Sequence, residues 1–107
     1  MVDYCKVMIV DDQVFQAEML QHQLGVFGIE ADVALGGEEA LELVSKRLKL
    51  MRENPGVSNY RLIFMDYSMP DMDGVSTSIN IHKLLNEFGI DPFGAKNGVE
   101  VCFISAY

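Results

Sequence analysis

Short apolar runs, each with a polar residue directly after it, occur at three places in the chain, residues 7–10, 62–65 and 101–104. Runs of about four apolar residues suit strands that are covered on both faces in a parallel sheet. A fourth segment, residues 29–35, alternates apolar with polar residues. Alternation indicates a strand with one buried face, so we expect this strand at an edge of the sheet.

Between these strands, apolar residues recur at the spacing of a helix in three segments, residues 13–27, 38–51 and 75–88. Such a stripe predicts an amphipathic helix whose apolar face packs on the sheet. The predicted apolar faces consist of Val14, Ala17, Leu20, Leu24 and Phe27; of Ala40, Leu41, Val44, Leu48 and Met51; and of Val75, Ile79, Ile81 or His82, Leu85 and Phe88. The order βαβαβαβ predicts an α/β fold with a doubly wound parallel sheet and helices on both faces.

The composition is that of one folded domain. Half of the 107 residues are apolar, which is enough for a core without disulfides or a structural metal. The formal net charge of -8 argues against nucleic acid or an anionic membrane as a partner and favours basic or apolar partners. No apolar run approaches the roughly 18 residues that span a bilayer, so we expect a cytoplasmic protein without membrane contact. Cys5 and Cys102 lie in or beside apolar runs, and we expect buried, reduced thiols.

Polar residues with chemical potential follow three of the predicted strands. Asp11 and Asp12 follow the first run, Asp66 the third strand and Ser105 the fourth. Ligands bind beyond the carboxyl ends of parallel strands, where these side chains are expected to meet. Three carboxylates at one rim raise one another's pKa unless a cation lies between them, and Mg²⁺ suits a site shared with phosphate oxygens. The pattern predicts phosphoryl transfer to a carboxylate nucleophile, with a hydroxyl such as that of Ser105 bonding a phosphoryl oxygen.

These residues resemble the receiver family of response regulators, the phosphoacceptor domains of two-component phosphorelays. The resemblance lies in the Asp pair at residues 10–12, the stretch 65–74 with its Met-Pro and Asp-Gly, the Ile-Ser-Ala at 104–106, and the start of the second helix at 36–41. Each motif alone is weak, but together they occur in the family's order on the expected elements. The resemblance covers nearly the whole chain and implies a flavodoxin-like sheet of order 2-1-3-4, with residues 1–107 forming one receiver domain.

The resemblance also implies roles for individual residues. Asp66 corresponds to the phosphoacceptor, Asp12 and Asp66 to direct Mg²⁺ ligands, and Asp11 to a ligand acting mainly through water. Ser68 would offer its backbone carbonyl to the metal, and Ser105 would be the switch hydroxyl. The phosphoryl donor would be a phosphohistidine on a histidine kinase or a histidine phosphotransfer protein. Such a domain is not an enzyme in the ordinary sense, although it catalyses its own phosphorylation and dephosphorylation, and receivers fused to hybrid histidine kinases are the expected context.

The chain departs from the family pattern at its carboxyl end. The family continues through a further helix, a fifth strand that ends in a lysine, and a last helix, whereas this sequence ends at Tyr107. The resemblance therefore implies an incomplete receiver whose phosphorylation is weakened without that lysine. The fourth strand would form an open apolar edge, through which we expect a dimer or a swapped form.

Other interpretations of these residues stand beside this one. Asp11 and Asp12 suit the start of the following helix, where acids are favoured. The missing lysine suits a degenerate, phosphate-independent binding module. An aspartate-nucleophile phosphohydrolase of the haloacid dehalogenase type usually has a second acid two residues after the nucleophile, and Ser68 stands there. Two long connections, residues 52–60 and 90–98, are expected at the end of the sheet opposite the aspartates and receive no catalytic role.

Overall fold

A computed structural model describes residues 6–104 of the chain. The strands and helices alternate in the predicted order. They are β1 (Lys6–Val10), α1 (Val14–Val26), β2 (Ala31–Ala34), α2 (Gly37–Glu53), β3 (Tyr60–Asp66), α3 (Gly74–Glu87) and β4 (Glu100–Ile104). None of the helices in this part of the chain is long and apolar enough to cross a membrane.

The four strands form one parallel sheet in the order β2-β1-β3-β4, which confirms the predicted order. The central pair β1 and β3 ends in register, with Val10 opposite Met65, and Asp66 lies opposite Ile104 on β4. Strand β2 lies at an edge as expected, although it is shorter than the alternating segment. Ile29 and Leu35 fall outside it and are about two-fifths exposed, at 37% and 41%.

Helices cover both faces of the sheet, as the alternation of elements predicts. On one face, Ala17 of α1 packs with Val7, Ile9 and Ala31, and Leu20 adjoins the same cluster. The other face carries the larger core. Its buried members come from α2, α3 and the sheet and include Met8, Val10, Ala40, Val44, Leu48, Ile63, Met65, Ile81 and Leu85. The carboxyl ends of β1 and β3 therefore emerge between α1 on one face and α2 with α3 on the other.

Two of the predicted helix faces are only partly correct. In α1, Ala17 is buried, but Val14 and Phe27 at the ends of the stripe are 47% and 80% exposed. In α3, Ile81 and Leu85 are buried as expected. Val75 and Ile79 are instead 42% and 50% exposed, because small residues make the contact there. The buried positions in the first turns of α3 are Gly74, Thr77 and Ser78, which let the helix approach β3 and α2 closely.

The amino end of the sheet contains a cluster of paired polar groups that the sequence did not reveal. A bulge at the start of β3 sets Tyr60 opposite Lys6 and Leu62 opposite Val7, so Arg61 is the extra residue. Tyr60 joins the larger core, and its hydroxyl donates to Asp32 Oδ2 at 2.6 Å. Lys6 Nζ lies 3.5 Å from the same oxygen. We call Lys6, Asp32 and Tyr60 the amino-end cluster.

The two long connections lie at this same end of the sheet, opposite the aspartates, as predicted. They pack on each other through Asn59, a buried side chain whose amide donates to the carbonyl of Asn97 at 2.9 Å. The second connection is closed by a bond from the Val99 amide to the Pro92 carbonyl at 3.0 Å. Both features anchor the entry into β3 and β4.

The expectation of buried thiols is wrong for Cys102, which is a free, exposed cysteine on β4. Its register partner is Phe64, which lies on the α1 face of the sheet. Helix α1 packs over β1 and β2 rather than over β4, so among residues 6–104 no helix covers Cys102. Cys5 lies outside the described residues.

Candidate metal centre and phosphoacceptor site

Three aspartate carboxylates meet at the carboxyl rim of the sheet, as the strand ends predict. Asp11 and Asp12 directly follow β1, and Asp66 is the last residue of the neighbouring strand β3. One carboxylate oxygen from each residue lies within 4.8 Å of the other two. All three side chains are half-buried, so the group is open to solvent on one side and backed by the sheet on the other.

The alternative role of Asp11 and Asp12 as helix caps is only partly supported. The N-cap of α1 is Gln13, which makes no side-chain capping bond, and the first turn contains no acid. Asp11 does accept the Gln13 amide through Oδ1 at 2.9 Å, and its own amide donates to the Ala34 carbonyl at 3.0 Å. These bonds fix the backbone of Asp11 and leave Asp12 without a capping role.

The electrostatics of the site favour a bound cation. Burial raises the pKa of Asp66, and the nearby charge of Asp11 and a hydrogen bond and charge from Asp12 raise it further, while the Ser68 amide opposes them. No basic side chain within residues 6–104 pairs with these three carboxylates. The same repulsion that raises the pKa would be relieved by a divalent ion.

The three carboxylates also fit Mg²⁺ in size and chemistry. This ion takes hard oxygen ligands at about 2.1 Å, so two oxygens on opposite sides of it are about 4.2 Å apart. The observed limit of 4.8 Å between the carboxylate oxygens of Asp11, Asp12 and Asp66 is only slightly wider. The half-exposed rim leaves positions for water and phosphate oxygens, which Mg²⁺ keeps among its ligands.

Residues 67–73, which we call the acceptor loop, leave Asp66 along a fixed path. The Tyr67 amide donates to the Ile104 carbonyl at 3.2 Å, and the Gly74 amide donates to the Tyr67 carbonyl at 3.1 Å. Met69 is buried in the larger core. A Cβ at Gly74 would lie 2.4 Å from the carbonyl oxygen of Asp66, so only glycine fits there. Met69 and Gly74 therefore shape the loop.

Of the two serines assigned to the site, the structure describes only Ser68. The Ser68 amide donates to the Asp66 carboxylate, and the Ser68 side chain is exposed at the rim. Its role as a carbonyl ligand of the metal stays a prediction. Ser105 lies outside the described residues, and its role as a switch hydroxyl also stays a prediction. The last described residue, Ile104, is the register partner of Asp66.

Two further aspartates of the acceptor loop were not identified as functional from the sequence. Asp73 is the N-cap of α3 and accepts the Ser76 amide through Oδ1 at 2.7 Å. An aspartate just before a helical apolar stripe is a readable signal for that role. Asp71 accepts backbone amides of α2, at Gly37 and Glu38, more than thirty residues earlier in the chain. No local pattern reveals that contact.

An exposed apolar surface on α1 lies beside the site. Phe15 and Met19 stand one turn apart near the start of the helix and are 75% and 48% exposed. With Glu18, His22 and Gln23 they line a shallow groove of about 290 Å³. The groove begins at Phe15, four residues after Asp11, on the helix that directly follows the aspartates at the end of β1.

Comparison with known proteins identifies the family. The model of the family described as "Response regulator receiver domain" matches residues 7–102. A hybrid signal transduction histidine kinase L of Dictyostelium discoideum is 34% identical over 85 residues, which is 79% of this chain and 4% of that protein. Histidine kinase CKI1 of Arabidopsis thaliana is 32% identical over 88 residues, which is 79% of this chain and 8% of that protein. This chain therefore spans less than a tenth of the length of either kinase.

Solved structures agree with the sequence comparison. The receiver domain of histidine kinase CKI1 from Arabidopsis thaliana, complexed with Mg²⁺ and BeF₃⁻, superposes with a TM-score of 0.82 at 27% identity. That match covers 99% of this chain and 68% of the other. The same receiver complexed with Mg²⁺ alone gives a TM-score of 0.81 at 27% identity and covers 99% of this chain and 70% of the other. The family match, these similarities and the rim of aspartates agree: this chain belongs to the response regulator receiver domains of two-component signalling.

Proposed function

We propose that Asp66 accepts a phosphoryl group from a phosphohistidine, in a reaction that depends on Mg²⁺ held by Asp11, Asp12, Asp66 and the Ser68 carbonyl. The observation that carries the proposal is the set of three carboxylates within 4.8 Å, without a basic partner among residues 6–104. Further support comes from the similar receiver of histidine kinase CKI1, which was solved with Mg²⁺ and BeF₃⁻. The donor would be a histidine kinase or a histidine phosphotransfer protein.

The proposed transfer forms one bond and breaks one. A carboxylate oxygen of Asp66 attacks phosphorus, the phosphorus–nitrogen bond breaks, and the imidazole of the donor leaves with the electron pair and takes up a proton. The product is an aspartyl phosphate. A bound Mg²⁺ would neutralise charge on the carboxylates and on the phosphoryl oxygens.

The chain's own residues orient the nucleophile. The Ser68 amide donates to the Asp66 carboxylate, and the close contact between Gly74 and the Asp66 carbonyl fixes the backbone. Asp11 and Asp12 favour the cation that keeps Asp66 ionised. Ser105 would donate its hydroxyl to a phosphoryl oxygen. Water that attacks the acyl phosphate would return Asp66 to its free form, which is the self-catalysed dephosphorylation expected of this module.

We further propose that the phosphoryl donor docks on the exposed surface of α1 formed by Phe15 and Met19. This surface is apolar and lies on the helix that follows Asp11 and Asp12, and the acidic chain favours apolar or basic partners. A donor seated there presents its histidine to Asp66 over a short distance. The cytoplasmic location and the self-association through β4, whose only neighbour among the described strands is β3, stay predictions.

The experiment that tests the proposed function is labelling with a small acyl phosphate in the presence of Mg²⁺. We expect wild type to gain a phosphoryl label that alkali removes, at the weakened level that the sequence predicts, and Asp66→Asn to gain none. Asp91→Asn is a matched control, because Asp91 caps a turn in the connection before β4 through the Phe93 amide at 3.0 Å. It should be labelled like wild type, and chelation of Mg²⁺ should abolish labelling of both.

The other outcomes identify the alternative functions. Wild type that binds Mg²⁺ but gains no label, from the acyl phosphate or from a phosphorylated histidine donor, would contradict phosphoryl acceptance and favour a phosphate-independent binding module. Steady turnover of a generic phosphate ester, abolished by Asp66→Asn, would favour the phosphohydrolase instead.

A further inference from the structure

The acceptor loop is attached to the start of α2 by one carboxylate. Asp71 accepts the Gly37 amide through Oδ1 at 3.4 Å and the Glu38 amide through Oδ2 at 3.1 Å. Its Oδ1 also accepts the amide of the adjacent Met72 at 2.8 Å. The first amides of a helix have no partner within the helix, so they need an acceptor from elsewhere. Asp71 provides that acceptor from a distant part of the chain.

Helix α2 has no cap of its own. The residue at its N-cap is Gly36, which has no side chain with which to accept an amide. Glu38 and Glu39 in the first turn favour the positive end of the helix dipole, and Glu39 accepts the amide of Leu35 at 3.3 Å. Neither glutamate bonds the amides that Asp71 accepts. The start of α2 thus depends on the acceptor loop.

The glycine pair at the start of α2 permits this contact. A Cβ at Gly36 would lie 2.8 Å from Asp71 Oδ2, and a Cβ at Gly37 would lie 2.4 Å from Thr77 Oγ1 and 2.9 Å from Met72 Cβ. Gly36 has an extended backbone with φ of 171°, which any residue can adopt. The lack of a side chain, and not an unusual backbone, is therefore what the contact requires at Gly36.

The contact bears on the site because of where Asp71 stands. It lies in the acceptor loop between Ser68, whose amide donates to the Asp66 carboxylate, and Asp73, which caps α3. The hydrogen bonds between this loop and α2, within residues 6–104, are those of Asp71. Without them, the middle of the loop loses its hydrogen bonds to α2.

We propose that Asp71 is a positioning residue for the phosphoacceptor site, which holds the acceptor loop by capping α2 and so keeps Ser68 in place beside Asp66. The proposal rests on the proposed function, because it concerns the same Mg²⁺ site. It makes the site and the start of α2 mutually dependent. By reciprocity, a cation bound at the rim steadies the Gly37 and Glu38 amides to the same extent as the cap strengthens cation binding.

The first test measures Mg²⁺ affinity by titration calorimetry in wild type, Asp71→Asn and Asp71→Ala. The carboxamide of asparagine has one oxygen, so it cannot accept at both the Oδ1 and the Oδ2 positions. We expect binding to weaken by about 10-fold in Asp71→Ala, as for other groups that support metal ligands, and by less in Asp71→Asn. Asp91→Asn, which also serves as the control in the labelling experiment, should have a Kd for Mg²⁺ within about 2-fold of that of wild type.

The second test follows hydrogen exchange of the Gly37 and Glu38 amides with and without Mg²⁺. Protection of both amides should increase with Mg²⁺ in wild type and stay unchanged in Asp71→Ala. If Asp71 only stabilised α2, protection of the two amides would be lower in Asp71→Ala but would still increase with Mg²⁺. This response therefore separates a positioning role from a structural one.

A third variant reaches the same contact from the other side. Gly36→Ala sets a methyl group 2.8 Å from Asp71 Oδ2 and should weaken Mg²⁺ binding in wild type, but add little in the Asp71→Ala background. Unchanged Mg²⁺ affinity in Asp71→Ala and Gly36→Ala, when wild type binds Mg²⁺, would overturn the positioning role alone. Wild type that binds no Mg²⁺ would overturn the proposed function and this inference with it.

Discussion

The two ends of the sheet treat their acidic side chains in opposite ways. At the amino end, Asp32 is neutralised by the chain itself, with Lys6 Nζ at 3.5 Å and the Tyr60 hydroxyl at 2.6 Å. At the carboxyl end, Asp11, Asp12 and Asp66 approach within 4.8 Å of one another without such a partner among the described residues. The difference separates an acid whose charge is compensated within the fold from the three acids to which we assign a cation in our proposal.

The titration of the two ends reflects this contrast. Burial, together with the hydrogen bond and charge of Asp32, raises the pKa of Tyr60 far above its ordinary value, so this hydroxyl keeps its proton and remains a donor. Burial and two neighbouring carboxylates raise the pKa of Asp66. The first shift accompanies a satisfied hydrogen bond, whereas the second arises from burial and, after it, from repulsion that a cation would relieve.

Asp71 shows a third way to accommodate an acid. Asp71 lies only five residues after Asp66, yet its pKa is lowered, chiefly by the hydrogen bond from the Glu38 amide. Burial opposes this shift, and the amides of Gly37 and Met72 add to it. Backbone amides thus stabilise the ionised form where no cation is needed. Asp66 at the end of β3 and Asp71 in the loop that follows it therefore differ in role: Asp71 caps a helix, and Asp66 is the acid that we propose binds the cation.

The largest expected effect is the loss of Mg²⁺ binding when one acid of the rim is removed. Asp12→Asn deletes a charged ligand while keeping the shape of the side chain, so we expect the Kd for Mg²⁺ to rise at least about 100-fold. Titration calorimetry measures this change. Asp32→Asn is the matched control, because it removes an acid from the amino-end cluster. It should lower stability and leave Mg²⁺ affinity within about 2-fold of wild type.

An equal loss of Mg²⁺ affinity in Asp12→Asn and Asp32→Asn would contradict the contrast between the two ends. It would mean that the overall negative charge of -8, and not the geometry of the rim, attracts the cation.

Wild type should also gain about 2.7 kcal/mol of stability at a Mg²⁺ concentration 100 times its Kd. Asp12→Asn should gain little at the same concentration.

The parts of the molecule that the sequence revealed are those written in local patterns. The apolar runs identify β1, β3 and β4, and the acids directly after β1 and β3 identify the rim, because register brings parallel strand ends together. The helix faces were harder. The contact face of α3 includes Thr77 and Ser78, whose hydroxyls donate to the carbonyls of Asp73 and Gly74. Because these hydroxyls are hydrogen-bonded within the helix, Thr77 and Ser78 can be buried where we expected an apolar stripe.

The features that escaped sequence analysis depend on distant contacts. The amino-end cluster requires the bulge at Arg61, which turns Tyr60 toward the larger core and Asp32. Asp71 caps a helix that begins 34 residues earlier, through its bond to Gly37. Apolar residues of α1 such as Phe15 are exposed because only one side of the helix packs on β1 and β2. None of these contacts produces a residue pattern that can be recognised within a single helix or strand.

The second prediction concerns stability at the amino end. Tyr60→Phe removes the hydroxyl that donates to Asp32 in a buried position, so we expect unfolding to become easier by about 1.5 kcal/mol. Urea unfolding followed by circular dichroism measures the change. Tyr67→Phe is the matched control, because it is the same substitution at an exposed tyrosine and should alter stability by less than about 0.5 kcal/mol. A loss of Mg²⁺ affinity in Tyr60→Phe beyond about 2-fold would show that the two ends are coupled.

The smallest expected effect is a gain in stability when the repulsion at the rim is relieved. The pKa of Asp66 is raised above its ordinary 3.8, so its contribution to stability is fully present below that pH and is lost as the pH rises through the raised pKa. The carboxamide of the Asp66→Asn variant does not titrate. The metal-free variant should therefore match the stability of wild type at low pH. At neutral pH its free energy of unfolding should exceed that of wild type by about 0.5 kcal/mol, a value reduced by solvent screening.

Thermal unfolding of both proteins across this pH range, with and without Mg²⁺, measures the difference. Mg²⁺ should reverse the order by stabilising wild type more, and an Asp66→Asn protein that is less stable than wild type without metal at neutral pH would show that the carboxylates of the rim are not in conflict.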